Sequence, residues 1–137
     1  MRFDSILVVC VGNICRSPTA ERLLKQALPH KTISSAGISA LAGHAADDTA
    51  TAVADQNGVS LEGHVARQLT REMCQQHDLI LVMEQKHMEA VSRIAPEVRG
   101  KLIPNFLNTD MVNPEQSVPV RGSLPPYLYL PPTNCMA

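Results

Sequence analysis

Apolar residues recur along this chain with two different periods, and the change between them marks its elements. Ile6-Leu7-Val8-Val9-Cys10-Val11 runs without a polar interruption, the pattern of a parallel strand covered on both faces. Gly12 and Asn13 break the run. From Ala20 the apolar positions become Ala20, Leu23, Leu24, Ala27 and Leu28, which is one face of a helix that Pro29 stops. Pro18 falls in the first turn of that helix, where a missing N–H is tolerated. Thr32 to Ala36 alternates weakly and predicts a second strand, followed by a loop from Gly37 to Gly43 that holds Ile38 and Leu41, with His44 just beyond. Asp47 or Asp48 caps a helix through Ala50, Val53 and Ala54, which Asn57-Gly58 ends. Residues 59–69 read as irregular. Thr70 to Cys74 predicts a short helix feeding an unalternating strand, Leu79 to Met83; Glu84 to Ile94 predicts a helix with Met88, Val91 and Ile94 inward, and Lys101 to Ile103 a short last strand.

Strands alternating with helices at this spacing predict an α/β fold, a doubly wound parallel four-stranded sheet with helices on both faces and the ligand site at the strand C-termini. The chain changes character at Pro104. Seven of its ten prolines, at 104, 114, 119, 125, 126, 131 and 132, crowd into the rest of the sequence, where no helix survives them. The expected organisation is therefore one α/β domain over residues 1–103 and a Pro-rich irregular tail over 104–137.

At 137 residues and 45% hydrophobic content the chain can build a single core. A formal net charge of -1, with no basic block, argues against nucleic-acid binding. No signal-peptide pattern or membrane-length apolar run occurs, so direct membrane insertion is not expected and the protein reads as cytoplasmic. The four cysteines, at 10, 15, 74 and 135, are too scattered for a disulfide framework or a zinc site. Five dispersed histidines show no metal spacing either, and His44 and His64 read as surface or loop residues.

The chemistry lies between the first strand and the first helix. Cys10 and Arg16 form a C-x5-R pattern followed by Ser17. A cysteine attacks as its thiolate, and a helix N-terminus, loop N–H groups and a guanidinium all stabilise that anion. The same groups bind a phosphate dianion: Arg16 can grip two oxygens with its planar fork, Gly12 lets the backbone come close, and Cys10 can attack phosphorus in line. Ser17 can donate its hydroxyl to the sulfur, and Asn13 can hold the loop through hydrogen bonds to nearby backbone. The competing reading of Cys10 is a small core hydrophobe at the end of a buried strand.

The segment Val8-Val9-Cys10-Val11-Gly12-Asn13-Ile14-Cys15-Arg16-Ser17-Pro18-Thr19-Ala20-Glu21 closely resembles the signature of the low-molecular-weight protein tyrosine phosphatases. Ser35-Ala36-Gly37 and Asp78-Leu79-Ile80-Leu81-Val82-Met83-Glu84 resemble later segments of that family, especially of its bacterial members associated with capsule and exopolysaccharide export. The resemblance implies hydrolysis of phosphotyrosine in proteins through a cysteinyl phosphate, with no metal and no organic cofactor. It implies Cys10 as nucleophile and Arg16 as phosphate clamp, with Gly12, Asn13, Ile14, Cys15 and Ser17 binding phosphate or supporting the loop. It places Leu41 in the substrate cleft and points to a membrane tyrosine autokinase as the phosphoprotein partner. For Cys15 it implies a reversible disulfide with Cys10, against the alternative of core packing. Arsenate reduction on the same scaffold would need a resolving cysteine, for which Cys74 is the nearest and lies on a helix away from the loop.

Two family features are not found in the sequence. The Asp-Pro-Tyr type motif that supplies the general acid is absent; Asp110 and Glu115 are the substitutes the tail offers. The family's C-terminal helix is also missing, and the abrupt change at Pro104 reads as a replaced C-terminus of the kind a frameshift produces. A protein lacking the acid would be a catalytically impaired binder of phosphotyrosine or oxyanions.

Overall fold

The computed structural model describes residues 3–103. Its centre is the first apolar run, strand β1 (Ser5–Cys10), which pairs in parallel with β2 (Thr32–Gly37) on one side and β3 (Leu79–Val82) on the other. A two-residue strand β4 (Leu102–Ile103) extends the sheet beyond β3, giving the order β2-β1-β3-β4.

Being central, β1 is buried on both faces, which is why its sequence does not alternate. Ile6, Val8 and Cys10 point to one face, where they meet Ala20 and Leu24 of helix α1 (Arg16–Ala27), together with Ile33, Leu81 and Met83. Leu7 and Val9 point to the other. There they pack with Cys74 of α3 (Arg71–Gln76), Val91 of α4 (Gln85–Ile94), and Val98 of a 3-10 turn over Pro96–Lys101. Helices thus cover both faces, as expected. A third apolar group, Ala54 of α2 (Asp48–Gln56) with Val59 and Leu61, packs against Leu23 on the outside of α1.

The cap expected at Asp47 or Asp48 falls on Asp47, and Thr70, expected as the first residue of the next helix, stands just before α3 as its cap. Asp47 accepts from the Ala50 N–H at 3.0 Å and Thr70 from the Met73 N–H at 3.2 Å, opening α2 and α3. Residues 59–69 form no helix, but they are not a surface excursion. Val59, Leu61, Ala66 and Leu69 are buried, and Gly37 both donates to the Arg67 carbonyl (2.9 Å) and accepts from the Leu69 N–H (2.8 Å), binding the segment to the end of β2.

The topology decides where a ligand can sit. From β1 the chain moves outward to β2, then returns to the far side of β1 for β3, so the connections on the two sides of β1 diverge at its C-terminal end. A crevice opens outside the strands at such a switch point. Residues 11–15 occupy it. Among the described residues no helix is long and apolar enough to cross a membrane. The expected tail, the missing last helix, Asp110, Glu115 and Cys135 all lie outside the described residues.

Candidate active site

The loop joining β1 to α1 is shaped by where its carbonyls go. Those of Cys10, Val11 and Gly12 accept from the N–H groups of Ile38 (2.9 Å), Ser39 (3.0 Å) and Leu41 (3.1 Å). The Asn13 carbonyl accepts from His64 Nε2 at 2.7 Å, which fixes the proton on that nitrogen. Ile14 O accepts from the Asp47 N–H at 2.7 Å, and Cys15 O from the Thr19 hydroxyl, also at 2.7 Å. Six successive carbonyls are therefore drawn outward. In a trans peptide the next N–H points the opposite way, so the loop turns its amides inward, continuous with the uncapped first-turn amides of α1. The Asn13 N–H, 3.3 Å from Cys10 Sγ, shows where they converge. This concave ring of amides at a helix N-terminus is a site for an anion.

Asn13 makes the curvature possible. Its φ of +58° lies in the left-handed region, which Asn enters more easily than most residues. Its side chain is wholly buried and makes three hydrogen bonds: Nδ2 donates to Ser17 Oγ (2.9 Å) and Ser35 Oγ (3.0 Å), and Oδ1 accepts from the Arg67 N–H (2.9 Å). The Ser35 hydroxyl donates to Glu21 Oε1 at 2.7 Å. Glu21 in turn is paired with Arg22 and Lys25. Ser17 Oγ, which accepts from Asn13, stands 2.9 Å from Cys10 Sγ, within reach to donate its hydroxyl to the sulfur when that is a thiolate. Cys10 is a free thiol, 1% exposed, at the base of the ring of amides.

Gly37 is required for a different reason. A Cβ there would fall on the Val11 carbonyl oxygen and press against Ala40, so only glycine lets the end of β2 lie this close to the loop.

Arg16, the first residue of α1, brings its guanidinium to the same crevice. Nη2 donates to Glu84 Oε1 at 3.3 Å, while the buried Nε has no acceptor among the described residues. Glu84 also binds Lys86 at 3.2 Å. Burial alone would push the Glu84 carboxyl up, but its Lys86 bond and the charges of Arg16 and Lys86 outweigh this and hold it below its ordinary value. Beside it His87 is buried with neither ring nitrogen partnered among the described residues, and burial pushes its pKa down.

Of the residues singled out from the sequence, Cys10, Gly12, Asn13, Ile14, Cys15, Arg16 and Ser17 all lie on this one loop and helix start, with Leu41 strapped beside it. Leu41 is half-buried, belongs to none of the three apolar clusters, and is held beside the loop by its N–H bond to the Gly12 carbonyl. Cys74 does not approach. It is buried on the opposite face of the sheet, where burial raises its thiol pKa. Cys10 is not bonded to Cys15 in this structure. His64, expected as a surface or loop residue, lies in a loop but is not at the surface: it is 6% exposed and holds the Asn13 carbonyl. Ser35, Glu21, Arg67 and Glu84 were also missed as site residues. A signal for one of them was present, since Ser34-Ser35 places hydroxyls in the middle of a strand. Among the described residues no group of three or more His, Cys, Asp or Glu side chains is arranged to hold a metal ion.

Comparison with known proteins agrees with this geometry. The family model described as low molecular weight phosphotyrosine protein phosphatase matches residues 5–115. The chain is 64% identical over 98 residues to the probable low molecular weight protein-tyrosine-phosphatase AmsI of Erwinia amylovora, covering 72% of this chain and 68% of that one. It is 56% identical over 101 residues to the low molecular weight protein-tyrosine-phosphatase Wzb of Escherichia coli K12, covering 74% and 69%. The crystal structure of Erwinia amylovora AmsI superposes with a TM-score of 0.78 at 50% identity, covering 93% of this chain and 85% of that one. Wzb from Escherichia coli K30 in complex with phosphate superposes with a TM-score of 0.71 at 56% identity, covering 74% and 68%. A chain that carries the C-x5-R loop in this fold and matches the family over most of its length belongs to the low molecular weight phosphotyrosine protein phosphatases.

Proposed function

We propose that this protein hydrolyses phosphotyrosine in a protein substrate through a cysteinyl phosphate on Cys10. The observation that carries the reading is the convergence of a buried thiol, a hydroxyl 2.9 Å from it and an arginine Nε without an acceptor among the described residues on one ring of inward amides. A phosphate dianion in the ring would give Arg16 Nε its missing acceptor. The loop amides and the guanidinium then hold the equatorial oxygens, where charge gathers in the transition state. Cys10 Sγ attacks phosphorus, the S–P bond forms, and the bond to the tyrosyl oxygen breaks. Water next attacks phosphorus and gives a proton to the carboxylate that had protonated the tyrosyl oxygen, the S–P bond breaks, and inorganic phosphate leaves. In that second step the sulfur departs as thiolate, and the Ser17 hydroxyl stabilises it.

The proton for the tyrosyl oxygen is assigned to a carboxyl of the 104–137 segment, with Asp110 and Glu115 as candidates; both fall within the span matched by the family model. The phosphoprotein is assigned, on the resemblance of residues 8–21 and 78–84, to a membrane tyrosine autokinase of capsule or exopolysaccharide export. Such a partner places the phosphatase in the cytoplasm. The test is hydrolysis of an aryl phosphate by the purified chain beside Cys10→Ser. Turnover by the first and none by the second is expected; equal rates would refute the assignment of Cys10.

A further inference from the structure

The stretch Ile38 to Leu41 runs along the phosphate loop, and its backbone polar groups divide between two partners. The N–H groups of Ile38, Ser39 and Leu41 go to the loop carbonyls of Cys10, Val11 and Gly12. The Ile38 carbonyl and the Ala40 N–H face the other way and close on a single side chain. Gln68 Nε2 donates to Ile38 O at 2.7 Å, and its Oε1 accepts from the Ala40 N–H at 3.0 Å. The primary amide thus takes the place of a neighbouring strand's peptide edge. Its own backbone is held, because Gln68 forms a bridge with Gly37. Ile38 packs into the core, whereas Leu41, at the far end of the stretch, is half-buried outside the three apolar clusters and is held at the phosphate loop by its N–H bond to the Gly12 carbonyl.

We propose that Gln68 is a positioning residue for substrate selection, setting the height of the Leu41 wall against the organic group of a phosphoester while leaving the phosphate cradle itself untouched. The inference rests on the reading of the loop as a phosphoester site. Only a side chain with a donor and an acceptor on separate arms satisfies both groups. Glutamate would keep the bond to Ala40 but set a carboxylate oxygen against the Ile38 carbonyl; alanine loses both bonds. Since Gln68 is exposed, its replacement removes little packing, and the fold should survive.

The test compares equilibrium binding of two probes, inorganic phosphate and phenylphosphonate, to the wild type, Gln68→Ala and Gln68→Glu, with amide exchange followed at Ala40. Inorganic phosphate should bind the three proteins within about twofold, because the ring of amides is unchanged. Phenylphosphonate should lose about three- to tenfold in both variants, the effect of two displaced hydrogen bonds transmitted to one apolar contact. Exchange at Ala40 should quicken in Gln68→Ala. In a Leu41→Ala background, Gln68→Ala should cost phenylphosphonate binding nothing further. An unchanged ratio of the two affinities overturns the inference, as does an equal loss of both probes, which would make Gln68 a support of the loop itself. Turnover is measured separately. A wild type that binds both probes yet hydrolyses no aryl phosphate refutes the catalytic reading while the affinity ratio still decides the role of Gln68. A wild type that binds neither overturns both.

Discussion

Replacing Asn13 by alanine and by glycine separates the two things this residue does. Both variants lose the same three buried hydrogen bonds, to Ser17, Ser35 and Arg67. At about 1 kcal/mol each this is about 3 kcal/mol, a large part of the roughly 5–15 kcal/mol that holds a domain of this size together. Only alanine must also hold the left-handed φ of +58° with a Cβ. That strain costs roughly 1–2 kcal/mol, while the extra freedom of glycine in the unfolded chain returns part of the difference. Asn13→Gly should therefore be more stable than Asn13→Ala by about 1 kcal/mol, with both well below the wild type. Urea denaturation with a shared slope measures the three stabilities. An alanine variant as stable as the glycine variant would contradict the strain argument. A loss under about 1 kcal/mol in both would contradict the hydrogen-bond argument.

Other consequences are equally direct. Gly37→Ala should displace the Val11 carbonyl and weaken phosphate binding more than tenfold (about 1.4 kcal/mol), read by calorimetry on folded protein; unchanged binding would mean β2 can move aside. His64→Phe should leave the Asn13 carbonyl buried without its donor, costing about 1–3 kcal/mol of stability, whereas no change in denaturation midpoint would count against that bond. Arg16→Lys keeps the charge but loses the planar fork, so aryl phosphate turnover should fall by orders of magnitude with the fold intact by circular dichroism. In Glu97, bonded chiefly to Arg71, the carboxyl is held at about 2 against an ordinary 4.5. Its folded pKa is depressed, so its contribution is present above about 4.5 and lost as pH falls towards 2. Melting between pH 7 and pH 3 should consequently change less in Glu97→Gln than in the wild type.

The parts of this protein that were legible in the sequence are those set by local physics. The β1 run, the α1 stripe, Pro18 and the Asp47 cap each follow from residues within one turn or strand, and Cys10, Gly12, Asn13, Arg16 and Ser17, singled out together by their spacing, stand together from the end of β1 to the start of α1. What the sequence hid is contact at long range. His64 lies 51 positions from the carbonyl it holds and Arg67 lies 54 from its Asn13 partner, and neither separation leaves a periodic trace. The irregular look of residues 59–69 concealed the same thing, because a segment that spends its hydrogen bonds on other loops needs no repeating pattern. Glu84 read as the opening of a helix, yet its carboxylate is turned to Arg16, 68 positions earlier, and caps nothing.

The central claim is that Cys10 carries the phosphoryl group during turnover. Rapid acid quench of the protein during aryl phosphate hydrolysis, followed by peptide mass spectrometry, tests this directly. The expected result is a phosphoryl group on the Cys10 sulfur that is absent without substrate and absent in Cys10→Ser. Steady turnover with no label on Cys10 and undiminished activity in Cys10→Ser would contradict it.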